Sequence, residues 1–239
     1  MSIAKITRKF VETIEERKIF TYQDIPSSKK SSIAIELSRL VKKGVIKRVS
    51  KGRFYKPKIR AFGEIAPSIS EKISNYLALS KEDSYETGYH SYRRLGLTTQ
   101  VANVIVIASD IASKSVKLGE VNIKFVPKRV KNIPQEDIVL LQILDALQDI
   151  KKIPDTTPTK ALGILKKIIE ELDREKQQKL ALYAKNYAPR TKVLVGAIIK
   201  EIGLWEEAYS LKDTLNPLTT YRLNISSDVL PNKKEWKIV

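Results

Sequence analysis

The chain has 239 residues, with 44 Lys/Arg against 27 Asp/Glu, a formal net charge of +17, and 42% hydrophobic residues. That balance describes a soluble globular protein, long enough for one large domain or two of ordinary size. With no cysteine, disulfides, thiolate zinc sites and thiol nucleophiles are excluded. The most apolar run, Val101 to Ala108, is far too short for a bilayer, and no N-terminal signal segment is visible, so a cytoplasmic location is expected.

The charge is unevenly spread. Residues 1–60 hold 17 Lys/Arg and 5 Asp/Glu, an excess of +12, and the remainder of the chain carries only +5. A local excess of this size is the electrostatic footprint of a protein that neutralises phosphates.

Residues 2–18 are predicted to form an amphipathic helix, with Ile3, Ile6, Phe10, Val11 and Ile14 as its apolar stripe. A short apolar step at Ile19-Phe20 follows, then a brief helix Tyr22 to Ile25 capped by Thr21 and ended by Pro26. The next helix is the centre of this region. Ser27-Ser28 offer N-cap hydroxyls, Ile33, Leu37, Leu40 and Val41 recur at helical spacing, and Gly44 after Lys42-Lys43 is a stop signal. Lys29, Lys30, Ser32, Glu36 and Arg39 are left on its other faces. Val45-Ile46 opens a strand, Ser50-Lys51-Gly52 makes a turn, and Phe54-Tyr55 returns, with strand-face packing the simpler use of both aromatics. Helix, then a basic two-stranded wing, is the order of a winged helix-turn-helix. Lys29, Lys30, Ser31 and Ser32 are assigned to base edges or nearby phosphates. Arg39 is assigned to phosphate, and Lys47, Arg48, Lys51 and Arg53 to a neighbouring phosphate or the minor groove. Double-stranded DNA is favoured over RNA because a helix fits the B-form major groove.

Pro57 to Ala66 reads as a connecting segment. Ser70 can then cap a helix carrying Ile73 and Leu77. Thr87 to Leu95 suits a short helix closed by Gly96, and Val104 to Ile107 a central strand. Two further strands, Ser115 to Leu118 and Val121 to Lys128, are expected about a Gly119-Glu120 turn.

The order GVIKRVSKGRFYKP, ETGYHSYRRLGLTTQ, VIVIAS, VNIKFVPKR over roughly residues 5–130 resembles the AbiEi-type abortive-infection antitoxins and their DUF6088-like relatives. The resemblance implies an N-terminal winged helix that binds the promoter of its own operon and represses it. It also implies a larger C-terminal domain with antitoxin activity against a nucleotidyltransferase toxin encoded alongside.

From Asn132 the chain turns helical. One helix carries Leu140, Ile143, Leu144 and Leu147. A second opens at Thr157-Pro158, a third at Asp173, a fourth is stopped by Gly203, and a last runs to Asn216-Pro217. Tyr221, Leu223 and Ile225 alternate as a short strand. Trp205, Tyr183 and Tyr187 are read first as packing residues and second as interface anchors.

A catalytic constellation cannot be assembled. His90 is the single histidine and has no evident carboxylate partner, and no phosphate-cradling glycine motif occurs. Asp110 and Glu120 lack the lysine a metal nuclease would place after them. The expectation is therefore an α+β chain. It comprises a winged helix-turn-helix over 1–60, then a mixed α/β segment and a helical region over 61–239. It is expected to bind its own promoter at inverted repeats, without cofactor, metal, membrane or enzymatic activity. The alternatives are a stand-alone DNA-binding regulator and, less favoured, a metal-dependent nuclease.

Overall fold

The structure is a computed structural model that describes residues 2–60, 63–68, 71–72, 84–110, 113–118 and 121–239. The Ser70 cap, the helix around Ile73 and Leu77, and the Gly119-Glu120 turn lie outside the described residues. The chain divides into two compact units, Met1–Glu82 with Ser115–Ile123, and Asp83–Lys114 with Lys124–Val239.

In the first unit, helix α1 spans Ile3–Thr13, opened by the Ser2 hydroxyl, which accepts from the Lys5 N–H at 3.4 Å. It is shorter than the sequence predicts. Ile14 is already extended, and Arg17, at φ 68°, donates its N–H to the Lys56 carbonyl at 2.8 Å. A long-range backbone bond thus draws the chain out of the helix. Strand β1 is Ile19–Thr21. The brief helix expected at 22–25 is absent, replaced by a turn. The Asp24 carboxylate takes the Thr21 N–H at 2.6 Å and hydroxyl at 2.9 Å, and the Gln23 N–H bonds the Thr21 hydroxyl at 3.2 Å. Such local side-chain bonds compete directly with helical ones.

Helix α2 spans Lys30–Lys42. The serines expected to cap it sit too early: Ser27 Oγ accepts from the Lys29 N–H at 3.4 Å, and no side chain caps the helix itself. Its end is as predicted. Gly44 adopts φ 72°, its N–H reaches the Val41 carbonyl, and the Val45 N–H reaches that of Leu40, both at 3.0 Å. This paired closure satisfies carbonyls that would otherwise be stranded.

Strands β2, Lys47–Ser50, and β3, Arg53–Tyr55, complete an antiparallel sheet in the order β1-β3-β2. Arg48 faces Phe54 and Ser50 faces Arg53, with a bulge between. Phe20, Ile33, Leu37, Ile46 and Phe54 form the buried core of this unit. The stretch expected to be a connector folds as a hairpin of β4, Lys58–Arg60, and β5, Gly63–Ile65.

Downstream come β6, Tyr85–Thr87; α3, Tyr89–Arg94; β7, Val104–Ser109; β8, Lys114–Leu118; and β9, Val121–Pro127. These strands make a four-stranded sheet ordered β6-β7-β9-β8. The interior place of β7 accounts for its unbroken apolar run. Gly96 ends α3 as Gly44 ends α2: its N–H meets the Arg93 carbonyl while the Leu97 N–H meets that of Tyr92.

Five helices follow: α4, Ile138–Gln148; α5, Pro158–Glu171; α6, Arg174–Ala184; α7, Pro189–Glu201; and α8, Trp205–Lys212. Thr157 caps α5 through the Lys160 N–H and Asp173 caps α6 through the Lys176 N–H, as the sequence predicts. The last helix stops at Lys212, short of Asn216. The strand expected at 221–225 is a single parallel bridge, Tyr221 to Ile238. Leu140, Leu144, Leu165, Leu194, Ile198 and Trp236 belong to one buried core. No helix among the described residues is long and apolar enough to cross a membrane.

Candidate functional site

The basic surface of the first unit starts at α2. Lys29, Lys30 and Ser31 are exposed at its opening and Ser32 is half-buried. The first turn contains no acidic residue. Helix N-termini carry a partial positive charge, so two lysines with no carboxylate make this end markedly attractive to an anion. Along the outward stripe Ser31, Ile35, Arg39 and Lys42 follow one another at helical spacing, all exposed. Ile35 is 57% exposed. In the sequence, an isoleucine inside an apolar pattern is indistinguishable from a core residue.

Glu36, expected on an open face, is instead buried. It accepts from Arg8 Nε at 2.7 Å and from Arg39 Nη1 at 3.4 Å, which ties α1 to α2. The Arg8 bond, with the Arg39 charge behind it, holds the Glu36 carboxyl below its ordinary range despite burial. Arg39 therefore has a partner, and it lies nine residues from Lys30, about 13 Å along the axis at 1.5 Å per residue.

The hairpin divides its four basic residues among different tasks. Lys47 pairs with Glu64 of β5, which also accepts from Tyr55 Oη at 3.0 Å. Burial, with that carboxylate beside it, pushes the Tyr55 hydroxyl up to about 12. Arg48 lies 5.5 Å above the Phe54 ring. Arg53 is half-buried, and Lys51 is exposed at the turn. Phe54 and Tyr55 are buried packing residues. Thr21 pairs with Arg53, and a Cβ at Gly52 would lie 2.4 Å from Tyr22 Oη. The hairpin turn and the segment leading into α2 consequently share one end of the sheet. Among the described residues, Lys29, Lys30 and Lys51 make no ion pair.

The second unit contains an open cavity of about 840 Å³ bounded by β6, α3, β7, β9 and α4. Asp145 of α4 lies in its wall. Asp145 Oδ2 accepts from Thr87 Oγ1 at 2.7 Å and Tyr85 Oη at 3.1 Å, and Oδ1 from Tyr187 Oη at 2.9 Å. Tyr92 Oη lies 3.0 Å from the Asp145 carbonyl and 3.1 Å from Asp149 Oδ2. Desolvation raises the Asp145 carboxyl above its usual range, opposed by the three hydroxyls and by the more distant charge of Arg129. Burial beside that acid also raises the Tyr85 and Tyr187 hydroxyls. Of these residues the sequence singles out Tyr187, and that for packing or an interface and not for a polar site. The available signal was an aspartate inside the otherwise apolar face of α4, with a second one turn later.

His90 does have an acidic neighbour: Nδ1 is 3.6 Å from Glu86 Oε1, and Nε2 is 3.1 Å from the Ala102 carbonyl. Asp110 pairs with Lys128 at 3.2 Å; Glu120 lies outside the described residues. Among the described residues no group of three or more potential ligands is placed to hold a metal ion. Trp205, expected to pack inside, is 55% exposed, with the Lys200 ammonium 5.3 Å above its ring.

Set against known proteins, no curated protein matches. The RV2827C protein from Mycobacterium tuberculosis, a solved crystal structure, aligns at 10% identity and a TM-score of 0.48, over 91% of this chain and 83% of that one. A likeness at that level carries no argument. Residues 5–180 match DUF6088, described as a family of unknown function. With that match spanning most of its length, the chain belongs to the DUF6088 family.

Proposed function

We propose that the first unit is a winged helix-turn-helix that binds DNA. In this reading the chain represses its own operon and acts as an antitoxin against a nucleotidyltransferase encoded beside it. The observation that carries the DNA reading is the start of α2: two exposed lysines without ion partners, no acidic residue and no side-chain cap. Phosphate oxygens satisfy both the free N–H groups and the charge. The outward stripe supplies the rest of a groove-facing helix, with Ile35 suited to a thymine methyl and Ser31 to a base edge. Lys51 at the hairpin turn is placed for a neighbouring phosphate.

The antitoxin role and the toxin partner rest on the family resemblance in residues 5–130. A stand-alone regulator differs from this only in the neighbouring gene.

The test is a titration of DNA from the chain's own upstream region with wild type and Lys29→Ala/Lys30→Ala. Loss of specific binding with an unchanged circular dichroism spectrum is expected. Wild-type affinity in the double variant would remove these lysines from the interface. Rescue of growth on co-expression with the adjacent nucleotidyltransferase tests the antitoxin role. Metal-dependent cleavage of DNA by the purified chain would instead favour the nuclease.

A further inference from the structure

We propose that the cavity of the second unit binds a small zwitterionic ligand, its ammonium or guanidinium head against Asp145 and Asp149 and its anionic end at Lys124 and Arg129.

The inward end follows from an imbalance of charge. Asp145 interrupts a helix whose neighbours Leu141, Ile143, Leu144, Ala146 and Leu147 are all buried. Three hydroxyls bond its carboxylate, but neutral dipoles do not cancel a charge, and desolvating an acid without a counter-ion is costly. Among the described residues no lysine or arginine reaches it within ion-pair distance. A hydroxyl cluster built only to join β6 to α4 would not need an ionisable acid at its centre. Asp149, one helical turn on, lies in the same wall, its Oδ1 paired with Lys152 at 3.3 Å and its Oδ2 accepting from Tyr92 Oη. Tyr85, Tyr89 and Tyr92 also line the cavity, and tyrosine ring faces attract organic cations.

The outward end follows from Lys124 and Arg129, both lining the cavity and both exposed. Arg129 is held 5.2 Å from the Tyr187 ring, and its charge is still felt at Asp145. Both poles thus line the one cavity. Val104, Val106 and Val126 provide apolar wall between them. The volume falls within the range of about 300–1,000 Å³ usual for small-molecule sites. An amino acid with a basic side chain has this pattern of charge; a side chain presented by a protein has the cation without the nearby carboxylate.

Calorimetry on the full chain, without DNA, tests the assignment with L-arginine, L-lysine and L-ornithine, and with agmatine, cadaverine and putrescine as their respective counterparts lacking the carboxylate. At least one of the three amino acids is expected to bind at millimolar concentration or below, and its carboxylate-free counterpart at least about tenfold more weakly. Asp145→Asn keeps the size of the side chain while removing the charge, and should cost the bound amino acid at least about tenfold. Val104→Trp, which blocks the cavity without touching the acids, should do the same and decides the matter should Asp145→Asn fail to fold. No binding by any of the three amino acids overturns the proposal. Equal or tighter binding of a carboxylate-free cation overturns the zwitterion, and affinity unaltered in both variants overturns the location.

Discussion

Gly196 illustrates how a single atom can matter in this chain. It lies inside α7, where glycine costs about 1 kcal/mol relative to alanine, so Gly196→Ala reads as stabilising from the sequence. In the structure a Cβ there would lie 2.3 Å from the buried Trp236 ring. Overpacking of this kind costs about 1–3 kcal/mol, more than the propensity gain. Gly196→Ala should lower the thermal unfolding midpoint; an unchanged or higher midpoint would mean Trp236 moves aside freely. Glu36 is the second informative residue. Its carboxyl is held below the ordinary value, so its contribution to stability is present above the unfolded value and lost as pH falls through the folded one. The stability difference between wild type and Glu36→Gln should accordingly shrink from pH 6 towards pH 3. A difference independent of pH would assign Glu36 a packing role alone.

At the scale of elements, helices and their stops were the most legible feature. Gly44, Gly96 and Gly203 were all expected as stop signals, and each takes a positive φ. The same local chemistry misled at 22–25, where Thr21 and Asp24 fold a turn instead of capping a helix. Strand pairing was less legible. The hairpin β4–β5 reads as a linker because its six residues include Gly63 and no apolar alternation, yet it delivers Glu64 to Lys47. That pairing removes one cation from the proposed interface. Glu64→Gln preserves an acceptor for Tyr55 and frees Lys47, and so should strengthen binding to every DNA sequence and steepen the salt slope by about one. Unchanged affinity would place Lys47 outside the footprint.

For the whole molecule, the proposed association with nucleic acid rests on the excess charge of residues 1–60. If about six phosphates are neutralised, log K should fall against log salt with a slope of about −5. A slope near zero would sink electrostatic recognition altogether. Sequence alone determined the charge asymmetry, the apolar periodicity of α1, α2 and the C-terminal helices, the caps Thr157 and Asp173, and the stops at Gly44, Gly96 and Gly203. These depend on contacts within a few residues, or on composition, and both are written directly along the chain. Only the tertiary structure decided that Glu36 is buried between two arginines, that Lys47 is paired, and that Tyr85, Thr87, Tyr187 and Asp145 converge. Those four come from a strand, a loop and a helix up to 102 residues apart. No local periodicity encodes such meetings, because they arise when separate apolar faces pack and carry their polar residues together.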